Sequence, residues 1–400
     1  MIESTPALTA LIAAATALAF WLDHRFRAAS KLGASLLAIL FGALLSNFDL
    51  VPRASPVYDA VYGPVTSLAI AWLLLAVHLG DLRHAGARML AAFGIAVIGT
   101  AAGAITGAFL FHATLGDQTW RLAGTLTGTY TGGSLNFVAV GRGLELPETL
   151  FAGATAADNL TTALWLGATL LLPVWLRRFY PTPVPAQSET HGVAPPGDAR
   201  TADARTADAR TAEDHTRAHH PFFAPAAVST LQLSLLIAVG LLLVIAADRV
   251  GARTGIPAVL WLTTFALIVG HATPLARAPG ALQLGTLALH FFFVVIGIGS
   301  RIADIVAVGV EVFFFTLVVV GIHGLIVFGI GRLARLDVGS IAVASQAAIG
   351  GPSSAIAVAA AREWPALLLP GVIVGLFGYA IGTYLGLGVA YLMRALLDAA

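Results

Sequence analysis

The chain has 400 residues, of which 58% are hydrophobic and only 11% are charged. A water-soluble protein carries about 25% charged residues to cover its surface, so this composition predicts an integral membrane protein embedded in a lipid bilayer. The formal net charge is +1, from 22 basic and 21 acidic residues. There is no basic excess to bind nucleic acid. Cysteine is absent, which excludes disulfides, thiolate metal sites and cysteine nucleophiles.

Ten apolar runs are candidates for transmembrane helices, which need about 20 apolar residues each. They lie near 6–23, 31–48, 57–79, 89–111, 147–177, 229–247, 255–272, 281–299, 305–331 and 364–393. Two further apolar segments, 119–144 and 339–361, are interrupted in their middles by Gly-Gly pairs. The predicted fold class is therefore an all-α polytopic membrane protein with two broken helices.

A polar segment at 179–222 divides the chain into two halves. It is rich in Pro, Ala, Asp, Arg and Thr, and the sequence TADAR at 201–205 is repeated directly afterwards. Such a segment has too little apolar surface to fold. We interpret it as a disordered cytoplasmic linker between a first membrane domain, 1–178, and a second, 223–400. A regulatory tail is the alternative.

The two halves are related by an internal duplication. The stretch TGGSLNFVAVGRGLELPETLFAG, which begins at Thr131, aligns without a gap on IGGPSSAIAVAAAREWPALLLPG, which begins at Ile349. The offset of 218 residues brings Pro147 onto Pro365. Internal repeats of this kind are typical of secondary transporters.

The distribution of basic residues predicts how the halves are oriented. If both Gly-Gly segments re-enter the membrane, the chain makes ten crossings and forms two inverted repeats of about five helices each. With the N-terminus outside, 15 of the 22 basic residues then lie on the cytoplasmic side. If the Gly-Gly segments cross fully, this bias disappears. The positive-inside rule therefore favours inverted repeats.

The Gly-Gly breaks are the candidate substrate site. A helix break is tolerated at membrane depth where it is buried in protein or lines a watery cavity, and its freed backbone groups can bind a solute. Small or polar residues surround both breaks: Thr131, Gly132, Gly133 and Ser134 at the first, and Gln346, Gly350, Gly351, Ser353 and Ser354 at the second. The alternative interpretation is close helix packing through small residues.

Asp158 is the candidate ion-binding residue. It lies in the apolar stretch FAGATAADNLTTALW, and no Lys or Arg occupies the middle of any apolar run. A buried carboxylate without a basic partner is typical of a site for a mobile cation, Na+ or a proton. Asn159, Thr162 and Asn136 offer neutral oxygen atoms to the same ion, as Na+ would need. The alternative is a structural carboxylate that is hydrogen-bonded to neighbouring hydroxyls.

Other polar residues in apolar runs are weaker candidates. Glu311 belongs to a run long enough to bring it to a membrane interface. Single histidines on apolar faces are expected to be packed, hydrogen-bonded core residues: His78, His290 and His323. Residues of the last helix that occupy the mirror position of the Asp158 region are candidates for lining the substrate path: Tyr379, Thr383 and Tyr384.

The stretches TGTYTGGSLNFVAV, GATAADN, SQAAIGGPSSA and PGVIVGLFGYAIGTYLG resemble the signature sequences of domain-of-unknown-function family 819. That family is placed in the cation/proton antiporter and anion transporter superfamily, with sodium/glutamate, bile-acid and 2-hydroxycarboxylate symporters. The resemblance implies two inverted repeats whose broken helices meet near the membrane midplane. It also implies that the glycines of both breaks are hairpin tips and that Asp158 is similar to the ion-binding carboxylate of the antiporters. The lysine that many antiporters carry in the mirrored helix is absent from 376–379.

We therefore expect a secondary active transporter that couples Na+ or H+ to uptake of a small organic solute, an anion, by an elevator-type mechanism. A monovalent cation/proton antiporter is the first alternative, and a passive channel or membrane sensor is the second. We expect no enzymatic activity and no cofactor besides the coupling ion, since no nucleophile elbow or metal-ligand motif occurs. The expected location is the bacterial cytoplasmic membrane, as a homodimer.

Overall fold

The computed structural model describes residues 2–26, 29, 33–52, 54–77, 79–181, 228–278, 280–299, 302–362 and 364–398. The described residues form helices and connecting turns without strands, as the composition predicted. The predicted linker falls almost entirely within 182–227, outside the described residues.

Among the described residues, the first half contributes six α-helices. They are α1 (Thr5–Arg25), α2 (Ala34–Asn47), α3 (Pro56–Leu75), α4 (Ala87–Leu115), α5 (Thr119–Gly143) and α6 (Glu148–Leu176). The second half contributes six more: α7 (Thr230–Thr254), α8 (Ala258–Ala272), α9 (Ala281–Gly299), α10 (Ile302–Leu333), α11 (Val338–Ala361) and α12 (Pro365–Leu397).

Most of these helices can span a bilayer. Within the described residues, nine helical stretches are long and apolar enough to cross a membrane, while α2 and α8 are shorter apolar helices. Many of their large apolar side chains face outward and are exposed, for example Trp21 and Leu242. An apolar outer surface is what lipid tails require, and it explains why the composition is so poor in charge.

Helices α4 and α10 pack closely at the centre of the molecule and run in opposite directions. A β-carbon at Gly103 would collide with the backbone of Val319, and one at Gly107 would contact the ring of Phe315. Gly99, one turn earlier in α4, faces His323, one turn later in α10. Glycines spaced four residues apart allow the two backbones to approach, as in membrane helix pairs generally.

Helix α5 folds back on itself in its middle. Gly132 and Gly133 leave the helical region, with φ/ψ of −148°/25° and 67°/−168°. A β-carbon at Gly128, in the first arm, would lie 2.9 Å from Cγ2 of Val140 in the second arm. At 1.5 Å per residue, a straight helix would hold these residues about 18 Å apart. The two arms of α5 therefore lie side by side.

Helix α11 folds back in the same way. Gly351 has φ 75° and ψ −171°, and Pro352 follows it. Side-chain atoms of Val343 and Ala355, from opposite arms, both lie near Gly371 of α12. Trp364, which follows the second arm, also packs beside Gly339 at the beginning of the first. Both ends of α11 are therefore close together.

Candidate functional site

The two helix breaks converge on one side chain of α12. A β-carbon at Gly133 would lie 3.4 Å from Cε1 of Tyr379, and one at Gly351 would lie 3.6 Å from the hydroxyl oxygen of the same residue. Tyr379 thus stands between the tips of α5 and α11. Both breaks were predicted from the sequence, and Tyr379 was predicted as a weaker candidate for lining the substrate path.

Each tip exposes one serine in otherwise buried surroundings. From 122 to 141, every residue of α5 is buried except Ser134. Ser353, one position beyond the residue that aligns with Ser134, is exposed in α11 directly after the buried Gly351 and Pro352. Both belong to the predicted substrate-binding set. A hydroxyl that is exposed next to a helix break offers a donor and an acceptor to a solute.

Three polar atoms near the tips are buried and lack a hydrogen-bond partner among the described residues. They are the hydroxyl of Tyr130, Oγ1 of Thr131 and Nε2 of Gln346, all in side chains that are completely buried. Buried polar groups without partners are uncommon and call for an explanation, of which a ligand that completes the hydrogen bonds is one. The Oε1 atom of Gln346 is already used, since it accepts a hydrogen bond of 3.2 Å from Thr169 of α6.

The remaining predicted residue of the second tip is Ser354. Its hydroxyl donates a 2.9 Å hydrogen bond to the backbone carbonyl of Gly350, four residues earlier. It thereby satisfies a carbonyl that the break frees from the helix. Ser354 therefore stabilises the tip, whereas Ser353 points to accessible space.

Asn136 joins the tip of α5 to α12 through hydrogen bonds. Its amide nitrogen donates to the carbonyl oxygens of Gly132 at 3.0 Å, and of Gly378 and Tyr379 at 3.3 Å each. Its amide oxygen accepts a 2.7 Å hydrogen bond from Thr383. The sequence placed Asn136 in the ion-binding set, but the structure engages its oxygen with α12 rather than with Asp158.

Asp158 lies in a cluster of hydroxyl groups between α5, α6 and α10. Thr162, one turn later in α6, donates a hydrogen bond of 3.2 Å to its Oδ1 atom. The hydroxyl of Tyr130 lies near the carboxylate and near Thr161 and Thr316, and it has no hydrogen-bond partner among the described residues. Those two threonines hydrogen-bond to each other at 2.7 Å. The groups around the carboxylate are therefore neutral oxygen atoms.

The predicted ion-binding set is only partly brought together. Asp158 and Thr162 are joined, as their spacing of four residues in a helix requires. Asn159 turns away, because its amide nitrogen donates 3.0 Å to the carbonyl of Thr155 and its oxygen lies toward Gly33. Sequence reasoning missed Tyr130 and Thr316, which approach from other helices. For Tyr130 the only signal was its place among threonines just before the break.

A polar cavity of about 470 Å³ lies where the two ends of α5 meet. Its wall includes Trp120 from the beginning of α5 and Gly143 from its end. Arg394 of α12 also lines it, and this guanidinium lies 5.3 Å from the centre of the Trp120 ring. The cavity marks the base of the folded-back helix, opposite its tip.

Comparison with known proteins places this arrangement in a family context. Residues 10–396 match the family model described as "Protein of unknown function (DUF819)". The chain is also 28% identical to the uncharacterized membrane protein YjcL of Bacillus subtilis (strain 168) over 385 residues, which are 95% of this chain and 94% of that protein. Together with the apolar helices, these matches identify a multi-pass integral membrane protein.

Proposed function

The chain belongs to the DUF819 family, and on this premise we propose that it is a secondary transporter that couples a monovalent cation to the movement of a small organic anion. The observation that carries the proposal is the convergence of two glycine breaks, each with an exposed serine, on Tyr379. Paired helix breaks at the junction of two repeats are where such transporters bind solutes.

The proposal includes a membrane arrangement. Helices α5 and α11 are re-entrant hairpins, and the two halves are inverted repeats. The contact of Gly128 with Val140 supports a hairpin in α5, and the position of Trp364 beside Gly339 supports one in α11. The antiparallel packing of α4 against α10 is what a two-fold axis in the membrane plane would produce for equivalent helices.

The polarity of the breaks favours an anionic solute. The second arm of α5 begins at the break, so its free backbone N–H groups and the positive end of its dipole face the tip. The same holds for the second arm of α11. Two helix N-termini that face one site attract a carboxylate or another small anion.

Asp158 is the coupling residue in this proposal. A carboxylate in an apolar helix is costly unless a cation or a proton compensates its charge. The surrounding hydroxyl oxygens of Thr162, Tyr130 and Thr161 are hard ligands of the kind that Na+ prefers. Sodium is therefore the first ion to test, and a proton is the alternative.

Alternating access would arise from motion between two parts of the molecule. The mobile part consists of 89–177 and 305–393, which hold both breaks and Asp158. The scaffold consists of the first three helices of each half, which pack on one another through contacts such as Gly297 of α9 against Ile39 of α2. Such a division supports an elevator-type movement.

The test uses purified full-length protein in detergent and measures the unfolding temperature against Na+ concentration, with K+ at equal ionic strength as the control. We expect the temperature to rise with Na+ concentration, as linkage requires. Asp158→Asn should remove this protection while leaving the unprotected protein folded. Glu311→Gln, which neutralises another carboxylate in an apolar helix, is the matched control and should retain it.

The same assay then screens organic anions with and without Na+. A solute that protects the wild type more strongly in Na+ is the expected result. Protection by cations alone, with no solute found and exchange of Na+ for H+ in proteoliposomes, would support the antiporter alternative. Full Na+ protection in Asp158→Asn would remove this residue from the mechanism.

A further inference from the structure

Buried hydrogen bonds link the first arm of α5, two residues before its break, to the first arm of α11, six residues before Gly351. Thr100 of α4 donates 3.0 Å to the backbone carbonyl of Tyr130, two residues before the first break. The Thr100 hydroxyl oxygen also lies 2.9 Å from Nδ1 of His323 in α10. Nε2 of His323 lies 2.8 Å from the hydroxyl of Ser345 in α11. Trp165 of α6 donates 2.9 Å to the same hydroxyl oxygen.

The carbonyl at one end of these hydrogen bonds determines the direction of the bonds to His323. The carbonyl of Tyr130 can only accept, so the Thr100 proton is used there and Nδ1 of His323 must donate to Thr100. In a neutral imidazole Nε2 is then the acceptor, so the Ser345 hydroxyl donates to it while the Ser345 oxygen accepts from the indole N–H of Trp165. A neutral His323 therefore carries its proton on Nδ1.

This chain of hydrogen bonds cannot conduct protons, because neither end can exchange one. A backbone carbonyl has no proton to release, and an indole nitrogen has no lone pair with which to take one up. Its members are nevertheless completely buried, or nearly so. A satisfied buried network of this kind makes one arrangement rigid and penalises every arrangement that breaks it.

We propose that His323 is a positioning residue that couples the Asp158 ion site to the second helix break. The inference rests on the proposed function and deepens it. Tyr130 connects the two systems, because its hydroxyl lies beside Asp158 while its carbonyl ends the chain. An ion that orders Tyr130 thereby affects Ser345, the residue before Gln346 of the predicted substrate-binding set. Histidine suits the position because it donates on one edge and accepts on the other.

The ion site could also be coupled to Ser345 by a second route, which the experiment must distinguish from the route through His323. Helix α6 carries both Asp158 and Trp165, so the ion site could reach Ser345 along α6 without His323. The two routes diverge in their dependence on Thr100. The route through His323 requires the Thr100 hydroxyl. The route along α6 does not require it, and depends instead on the Trp165 N–H.

The natural absence of cysteine makes the test direct. A single cysteine is introduced as Ser353→Cys at the exposed edge of the second tip, and its rate of reaction with a maleimide is measured with Na+ or with K+. In the otherwise native chain, Na+ should change the rate at least fivefold, the lower end of ordinary coupling between two sites. Na+ protection against thermal unfolding is measured on the same proteins.

Thr100→Val keeps the side-chain shape but removes the hydroxyl, so it should reduce the Na+ effect on labelling to less than about twofold. It should leave Na+ protection in place, since the Asp158 carboxylate and the Tyr130 hydroxyl are retained and only the hydrogen bond to the Tyr130 carbonyl is lost. Thr100→Ser should restore the effect. Thr127→Val is the matched control, because among the described residues this buried hydroxyl bonds only to the carbonyl of Ala123 in its own helix.

The labelling results distinguish the route through His323 from the route along α6 and test the sodium site itself. A full labelling response in Thr100→Val, with loss of the response in Trp165→Phe, would assign coupling to α6 and overturn the role of His323. If Thr100→Val does not fold, Ser345→Ala interrupts the same chain on the other side of His323, and a full response in that variant also overturns it. A wild type that responds to Na+ in neither assay would instead overturn the sodium site of the proposed function.

Discussion

Gly133 and Gly351 adopt nearly the same backbone conformation 218 residues apart. Their φ/ψ angles are 67°/−168° and 75°/−171°, in a region that only glycine occupies readily. A β-carbon at either position would nevertheless find ordinary space, with nearest atoms at 3.4 and 3.6 Å. Glycine is therefore required at both breaks by the backbone angle and not by crowding.

This relationship makes alanine an informative substitution. Gly133→Ala and Gly351→Ala should each lower the free energy of unfolding by about 1–3 kcal/mol, the strain of a side chain in this region. The unfolding temperature in detergent measures the loss. Gly388→Ala in α12 is the control, because it has helical φ and no atom within 4 Å. It should be neutral or stabilising, and equal effects at all three positions would contradict the argument.

Tyr130→Phe removes the hydroxyl beside Asp158 and keeps the ring. A hydrogen bond or ligand contact to a charged group contributes about 1.5–3 kcal/mol. We therefore expect the Na+ concentration for half-maximal thermal protection to rise about tenfold or more. Within the part of the chain that the structure describes, the Thr155 hydroxyl bonds only to the carbonyl of Phe151, so Thr155→Val should leave that concentration unchanged. An unchanged Na+ response in Tyr130→Phe would exclude the tyrosine from the ion site.

Arg142 connects the end of α5 to an irregular turn in α3. Residues 61–65 form a π-helical turn that contains Pro64, and the Arg142 guanidinium donates 3.2 Å to the carbonyl of Gly63 there. Arg142→Leu should lower the free energy of unfolding by about 1–3 kcal/mol, because that carbonyl loses a charged donor.

The control for Arg142 is Arg394→Leu. Arg394 approaches Asp398 at 3.8 Å with both side chains more than half exposed, and exposed ion pairs contribute little to stability. Thermal unfolding of the two variants under the same conditions compares them. A smaller loss in Arg142→Leu than in Arg394→Leu would show that the contact with Gly63 is not stabilising.

The proposed membrane arrangement predicts which cysteines share a side. Asp117→Cys and Glu145→Cys, at exposed positions on either side of α5, should react with an impermeant maleimide from outside the cell. Arg335→Cys and Ala361→Cys, at the two ends of α11, should react only from the cytoplasm, and so should Arg205→Cys in the linker. Opposite accessibility of the two ends of α5 would mean that the helix crosses fully, and the halves would then not be inverted.

Local sequence signals were sufficient for the helices and for the breaks. The apolar runs at 281–299 and 119–144 correspond to α9 and α5 almost residue for residue, because hydropathy at membrane depth directly reports where a helix must satisfy its own backbone. The pairing of Asp158 with Thr162 was also predictable, since residues four apart share a helix face.

Only the tertiary structure decided which residues of different helices meet. It placed Tyr130 beside Asp158, set Tyr379 between the two tips, turned Asn136 to α12, and linked Thr100 to His323 across 223 positions of the chain. No spacing in the sequence reports such contacts, because they depend on how helices cross and on the rotamers that close packing allows. A single sequence therefore determines the helices, their breaks and the isolated carboxylate, while the partners of that carboxylate follow from packing.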